Sequence, residues 1–198
     1  MQSLVGKTNI AIALGILAML SYFYAASVDR PSEELAGIPM AIAKDDRVSG
    51  NLEMFLKIDG IPGNAADSTG KHKGEIDVDS YAWDVSRGGG KPSMNVFRVT
   101  MPAGRASSKL FLNTAGGVKI SRVALGVRKQ GANGDFLTWI LTDVNISSFK
   151  TVGNTHGDGV MEEVSFSFGK IETSYSPPEG GAPLQAGWDQ RTGKSVGY

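Results

Sequence analysis

The distribution of hydrophobic and polar residues divides the chain into two parts. From Thr8 to Ser27 no residue is charged, and within residues 10–26 only Ser21 is neither apolar nor glycine. From Met54 onward, apolar and polar residues alternate along several stretches. Alternation with a period of two is typical of β-strands that bury one face. The pattern therefore predicts an apolar N-terminal segment followed by a mainly β domain.

The longest predicted strand covers residues 136–149. Its apolar residues fall on two faces, with Phe136, Ile140, Val144 and Ile146 on one and Trp139 and Leu141 on the other. The other predicted strands cover residues 53–58, 75–85, 94–101, 118–129 and 160–175. The alternation changes phase within residues 75–85 and again after Gly169, and a glycine at a phase change predicts a β-bulge.

One helix is predicted in the connection that follows residue 101. There Ala106 and Leu110 lie four residues apart, and a Gly-Gly pair ends the segment. Turn sequences at residues 131–135 and 154–159 imply that the strands beside them are antiparallel. About six antiparallel strands with one short helix predict a mainly β fold, an antiparallel β-sandwich or pseudo-barrel.

The apolar segment has the layout of a secretory signal. Lys7 precedes it, and Ala25, Ala26 and Ser27 supply the small residues of a cleavage site. As a helix its apolar part would span roughly 26 Å, slightly less than the ~30 Å hydrocarbon core of a membrane. A retained membrane anchor over residues 8–27 and an internal buried helix therefore stay open as alternatives.

The predicted organisation has three parts. Residues 1–27 form a signal peptide or membrane anchor. Residues 28–52 are rich in proline, glycine and mixed charge, which is typical of a linker. Residues 53–198 form the β domain.

Composition removes several classes of function. Twenty Lys and Arg residues balance twenty Asp and Glu residues, so no net positive charge favours a nucleic-acid partner. Cysteine is absent, which excludes disulfides, thiolate metal sites and cysteine nucleophiles. The two histidines, His72 and His156, are too few for a three-histidine metal centre.

The remaining candidates for chemistry are weak. His72 lies near Glu75, Asp77 and Asp79, but acids that alternate with apolar residues are expected on any solvated strand face. His156 lies in a glycine-rich turn, where Asn, Asp and Gly serve the backbone.

Two further motifs lack their usual context. The GGGK stretch at residues 88–91 precedes Pro92, so no helix opens after it as a phosphate loop requires. Ser107 and Ser108 have no nucleophile-elbow context. We therefore predict no catalytic activity, no cofactor and no metal site. An enzyme would need a carboxylate pair among Glu75, Asp77, Asp79, Glu162 and Glu163.

Several segments carry a family resemblance. They are MFLKIDGIPG at 54–63, KHKGEIDV at 71–78, YAW at 81–83, VRKQG at 127–131, LTDV at 141–144, EVSFSF at 163–168, YSP at 175–177 and GWD at 187–189. In combination and in order, they closely resemble the haemolysin-coregulated protein (Hcp) family, which forms the inner tube of the bacterial type VI secretion system. The resemblance extends from Met54 to about Lys194.

The resemblance implies two antiparallel sheets with a short helix on one side, in subunits that form a hexameric ring. Such rings stack into a hollow tube and carry small effector proteins in the lumen. The implied partners are further copies of the chain and the sheath, spike and effectors of the secretion machine.

Two glycine-rich segments, 60–74 and 87–92, are long enough to reach an adjacent ring, and we expect the first to be the stacking loop. The expected assembly residues are Gly60, Gly63, Lys71, His72, Lys73, Glu75, Asp77, Trp188 and Asp189. Two interpretations stay open for four arginines that are interleaved with acids. They form complementary ring faces, or they lie on ordinary solvated strand faces: Arg98, Arg105, Arg122 and Arg128.

The signal-like segment departs from the family pattern, because tube proteins of this family generally have no cleavable signal. We expect a secreted protein that passes through the periplasm. The alternatives are an inner-membrane protein anchored by residues 8–27 and a translation start at Met54. A monomeric exported β-sandwich that binds a ligand is the alternative function.

Overall fold

The structure is a computed structural model, and it describes residues 50–153, 155, 159–177 and 180–197. The predicted signal or anchor, most of the linker and the turn residue His156 lie outside the described residues. No helix in the described part of the chain combines the length and the hydropathy of a membrane span.

The described residues contain twelve strands and one helix. The strands are β1 (Leu52–Ile58), β2 (Ile76–Asp77), β3 (Ser80–Ala82), β4 (Val85–Arg87), β5 (Pro92–Met94), β6 (Phe97–Pro102), β7 (Lys119–Lys129), β8 (Leu137–Gly153), β9 (Val160–Ser167), β10 (Lys170–Tyr175), β11 (Leu184–Asp189) and β12 (Lys194–Ser195). The helix, α1, covers Ser107–Gly116 between β6 and β7.

The strand pairings trace a closed path. β7 pairs with β8 on one side and with β1 on the other. β1 also pairs with β2, and the chain continues into β3, which pairs with β6. β6 pairs with β9, and β9 pairs with β8. Because every one of these pairings is antiparallel, the predicted antiparallel pseudo-barrel with one short helix is confirmed.

Alternating apolar residues of these strands fill the interior. The fully buried ones include Leu56, Phe97, Val99, Val123, Leu125, Leu141, Val144, Val164 and Phe166. The predicted helix is also confirmed. Its Leu110 is fully buried, and Gly117 ends it in the left-handed conformation (φ 61°) that glycine adopts without strain.

Residues 75–85 form the short strands β2 and β3, and Val85 begins β4, whereas we predicted a single strand. The Val78 N–H donates to the Met54 carbonyl of β1, and the next N–H, of Asp79, donates to the Thr100 carbonyl of β6. The phase change in this stretch therefore marks the point where the chain passes from pairing with β1 to pairing with β6. This crossing closes the barrel.

The long strand β8 has partners in succession along one edge. Its first half pairs with β10 and its second half with β9. Its register against β9 shifts between Ile146 and Ser148, which is the position of a β-bulge. β10 is followed by β11 and β12, which continue the sheet outward.

The predicted bulge at Gly169 is wrong, although the predicted phase change occurs there. The Gly169 N–H donates to the carbonyls of Thr142 and Asp143, and no residue is inserted on either strand at this position. Asp143 has a positive φ of 55°, so both strands change face together. Leu141 and Val144, predicted on opposite faces, are consequently both buried.

Candidate assembly site

The predicted stacking segment is a loop between β1 and β2, and we call residues 59–75 the 59–75 loop. Its two legs are hydrogen-bonded to each other: the Gly63 N–H donates to the Gly74 carbonyl (2.8 Å) and the Ala65 N–H to the Glu75 carbonyl (2.9 Å). A Cβ atom on Gly63 would lie 2.1 Å from the Glu75 carbonyl oxygen. Only glycine therefore allows the two legs to approach this closely.

The loop folds back over the barrel and is anchored there by Arg128 of β7. Only 1% of the Arg128 side chain is exposed. Its Nε donates to Glu53 (2.8 Å) and its Nη1 to the Thr69 hydroxyl (2.7 Å), while Nη2 donates to Asp67. The guanidinium also lies 4.8 Å from the centre of the Phe55 ring, a distance typical of a cation–π contact.

These contacts change the acidity of both members of the Arg128–Asp67 pair. The Arg128 guanidinium holds the pKa of Asp67 well below its usual range, and N–H groups of His72 and Thr69 add to this effect. The hydrogen bond to Asp67 raises the pKa of Arg128. The pair is therefore fully charged at neutral pH, although the Asp67 side chain has no exposed surface.

Arg128 is thus neither a ring-face residue nor part of a solvated strand face, and both of those predictions are wrong for it. The alternation along β7 correctly places Arg128 opposite to the buried Val127. The 59–75 loop covers that second face, so both residues are buried. Strand periodicity contains no information about such a cover.

His72 forms a second anchor for the loop. Its Nδ1 lies 2.8 Å from Glu75 Oε2, and its Nε2 lies 2.9 Å from Asp135 Oδ1. The imidazole stacks on Phe55 with ring centres 4.6 Å apart and planes 2° from parallel. Lys71 Nζ binds the other oxygen of Asp135 at 2.8 Å.

Gly126 of β7 makes room for this anchor. A Cβ atom there would lie 2.9 Å from Asp135 Oδ2 and 3.2 Å from His72 Cε1. The local sequence pattern gives no sign of the role of Gly126, and it places Asp135 only in a turn between antiparallel strands. The available signal was an acidic residue at that turn, but only the folded structure shows that Asp135 contacts the 59–75 loop.

The predicted assembly residues separate into a buried and an accessible group. Gly63 and His72 are buried, whereas Gly60, Lys71, Lys73 and Asp77 are exposed and Glu75 is half-buried. Lys57, Lys71 and Lys73 line one depression beside the loop. Glu53, Asp67 and Asp77 line another.

Among the residues that the structure describes, Asp77 is the acid of this second depression that forms no ion pair. Partial burial raises its pKa, and the negative charges of Glu53 and Asp67 raise it further. The depression therefore has an excess of negative charge, which favours contact with a positively charged group.

The two C-terminal assembly residues lie on β11, in the outer part of the sheet. Trp188 is half-buried and packs against the core. Asp189 Oδ1 accepts hydrogen bonds from the N–H groups of Arg191 and Thr192. The Thr192 N–H is the main cause that lowers the Asp189 pKa.

The second glycine-rich segment, 87–92, is the tip of a β-hairpin made by β4 and β5. Arg87 Nε donates to the Gly90 carbonyl across this tip. A cleft between the tip and the terminal turn is lined by Arg87, Lys91, Trp188 and Arg191.

Three of the five carboxylates considered for catalysis have structural partners. Glu75 binds His72, the buried Glu162 accepts a hydrogen bond from Ser107, and Glu163 pairs with Arg98. Within residues 50–153, 155, 159–177 and 180–197, no group of three or more acids and histidines is arranged to hold a metal ion.

Comparisons with known proteins agree on one family. The family model described as "Type VI secretion system effector, Hcp" matches residues 55–175. Protein hcp1 of Pseudomonas aeruginosa is 28% identical in an alignment of 159 residues that covers 71% of this chain and 96% of that protein.

Solved structures show the same relationship. Hcp1 from Salmonella typhimurium superposes with a TM-score of 0.68 at 30% identity, covering 74% of this chain and 100% of that one. A type VI secretion system effector from Yersinia pestis superposes with a TM-score of 0.62 at 32% identity, covering 69% and 98%. With more than half of its length matched by the family model, this chain belongs to the Hcp family of type VI secretion proteins.

Proposed function

We propose that this protein is a structural component that assembles into a hexameric ring and that the rings stack into a tube. The observation that carries the proposal is the family match over residues 55–175, which spans the barrel and the 59–75 loop. A head-to-tail interface between copies closes into a ring when the rotation per subunit allows it.

We propose that the 59–75 loop makes the contacts between rings. The exposed residues Gly60, Lys71, Lys73 and Asp77 provide the contacting surface, and the buried Gly63 and His72 keep the loop in shape. The lysine-lined depression and the acid-lined depression beside the loop supply charges of both signs. Such charges favour contact with a surface of complementary charge on a second copy.

Trp188, with Asp189 beside it, is proposed to contribute to the contact between neighbouring subunits. Trp188 is half-buried within its own subunit, so an aromatic surface is left that a second copy can cover. Glu75 completes the set of assembly residues, since it lies at the base of the loop.

The proposed role needs neither catalysis nor a cofactor. Partners beyond further copies are the sheath, the spike and small effector proteins carried in the lumen. Nucleic acid is not a proposed partner, because positive and negative residues balance.

Residues 1–27 are proposed to direct export, which makes the protein secreted by way of the periplasm. The support is their uncharged apolar run with small residues at its end. Mass spectrometry of the mature protein tests this: a chain beginning near Val28 agrees with cleavage, and a chain that keeps residues 8–27 contradicts it.

Light scattering of the purified protein tests the ring. At tens of micromolar, we expect a mass about six times that of one chain. A monomer would contradict the proposal and favour an exported β-sandwich that binds a ligand instead.

A further inference from the structure

His72 lies where three elements meet. It belongs to the 59–75 loop, stacks on Phe55 of β1 and reaches Asp135 in the turn between β7 and β8. Only 7% of its side chain is exposed. Each of its ring nitrogens lies within hydrogen-bond distance of a carboxylate oxygen, one of Glu75 and one of Asp135.

This arrangement specifies a protonation state. An ionised carboxylate only accepts hydrogen bonds, and a neutral imidazole donates through one nitrogen only. With an ionised acceptor at each nitrogen, both hydrogen bonds form only when both nitrogens carry hydrogen, that is, in the imidazolium form. In the neutral form a nitrogen lone pair would face a carboxylate oxygen in a buried site, which is unfavourable.

The surrounding charges favour the same state. Lys71 binds Asp135, Asp67 accepts the backbone N–H of His72, and Arg128 lies on the Phe55 ring. Together with Glu53 and Glu75, these groups place four acids against two cations when His72 is neutral. Protonation of His72 reduces the imbalance to four against three.

We propose that protonated His72 is a positioning residue that latches the 59–75 loop to the β7–β8 turn, and that loss of its proton releases the loop. The relevance of this latch to assembly rests on the proposed function, because the latch would keep the proposed stacking loop in one conformation. Its physical basis, two charged hydrogen bonds across the loop base, is independent of that function.

The direction of the pH effect follows from the geometry. The latch needs His72 protonated, so it holds on the acid side of the imidazole titration and weakens as pH rises.

Hydrogen–deuterium exchange of the full chain tests the latch from about pH 6 to about pH 9, a range that brackets imidazole titration. The readout is protection of the loop amides Gly63, Gly74 and Glu75, corrected for intrinsic exchange. We expect protection to fall about tenfold or more as pH rises, the size expected for a lost charge-assisted hydrogen bond. Amides in the middle of β7 should show no such change.

Two variants make the test specific. In Glu75→Gln, the side-chain amide donates to a neutral imidazole, so loop protection should become independent of pH. Glu163→Gln is the matched control, because Glu163 lies on β9 and pairs with Arg98. It should keep the pH dependence of the parent protein.

The latch is wrong if loop protection in the parent protein does not change with pH, or if Glu75→Gln retains the parent's pH dependence. Ring formation is measured separately by light scattering. Rings without pH-dependent protection would overturn the latch alone, and pH-dependent protection in a monomer would overturn only the proposed function.

Discussion

Arg128 shows how much a single residue can contribute to the shape of this molecule. Its guanidinium connects β7 to Glu53 on β1 and to Asp67 and Thr69 in the 59–75 loop. Removing one partner of a buried ion pair leaves the other charge without compensation, which destabilises a protein strongly. The conformation of the loop therefore depends on this arginine and its acids.

Asp67 should make stability depend on pH in the acid range. The pKa of Asp67 is lowered in the folded protein. The contribution of the ionised carboxylate to folding stability is therefore complete above the unfolded-state pKa of about 4 and is lost as pH falls below that value. We expect Asp67→Asn to lower the melting temperature by several degrees near neutral pH. The difference from the parent protein should shrink progressively below about pH 4, as thermal melts across pH can measure.

The control for this prediction is Glu172→Gln, whose ion pair with Lys170 is partly exposed to solvent on both sides. Exposed pairs contribute little, so this variant should melt close to the parent protein throughout. A melting difference for Asp67→Asn that stays constant down to about pH 2 would show that the Arg128–Asp67 charge pair is not the cause.

At the scale of elements, the sequence predicts what local periodicity determines. The long strand, the helix at residues 107–116 and the turn at residues 131–135 all follow from local patterns. The split of residues 75–85 between two neighbours could not be predicted, because it depends on which strands flank the crossing. The burial of Arg128 under the 59–75 loop could not be predicted for the same reason, because a loop that covers a strand face does not change the pattern of apolar and polar residues in that strand.

Gly63→Ala should open the 59–75 loop. The new Cβ atom would overlap the Glu75 carbonyl oxygen, so the two legs must separate and lose their hydrogen bonds. We expect a loss of about 3 kcal/mol in the free energy of unfolding, measured by denaturant titration. Gly88→Ala is the matched control, because nothing lies within 4 Å of its Cβ position. Equal stabilities of the two variants would contradict the close approach.

Trp188→Ala should weaken the outer part of the sheet. Trp188 is half-buried against the core, so we expect a loss of about 2 kcal/mol and a melting temperature lower by about 4–8 °C. Leu184→Ala, on the same strand with its side chain exposed, should melt within about 2 °C of the parent protein. If both variants melt like the parent protein, the terminal segment does not pack as described.

At the scale of the whole molecule, the balance of positive and negative residues and the closed barrel suit a protein whose partners are copies of itself. The barrel leaves the β4–β5 hairpin and the β10–β12 extension outside its closed path. In the proposed ring, these elements and the accessible part of the 59–75 loop are the surfaces available to neighbouring subunits. These features agree with membership of the Hcp family, and the ring remains the central proposal.

Electron microscopy of the purified full-length protein tests that proposal most directly. Averaged end-on views should show a closed ring of six equal subunits around an open centre, and side views should show such rings stacked at higher concentration. Particles the size of a single chain, or compact oligomers with no central opening, would contradict the proposed ring.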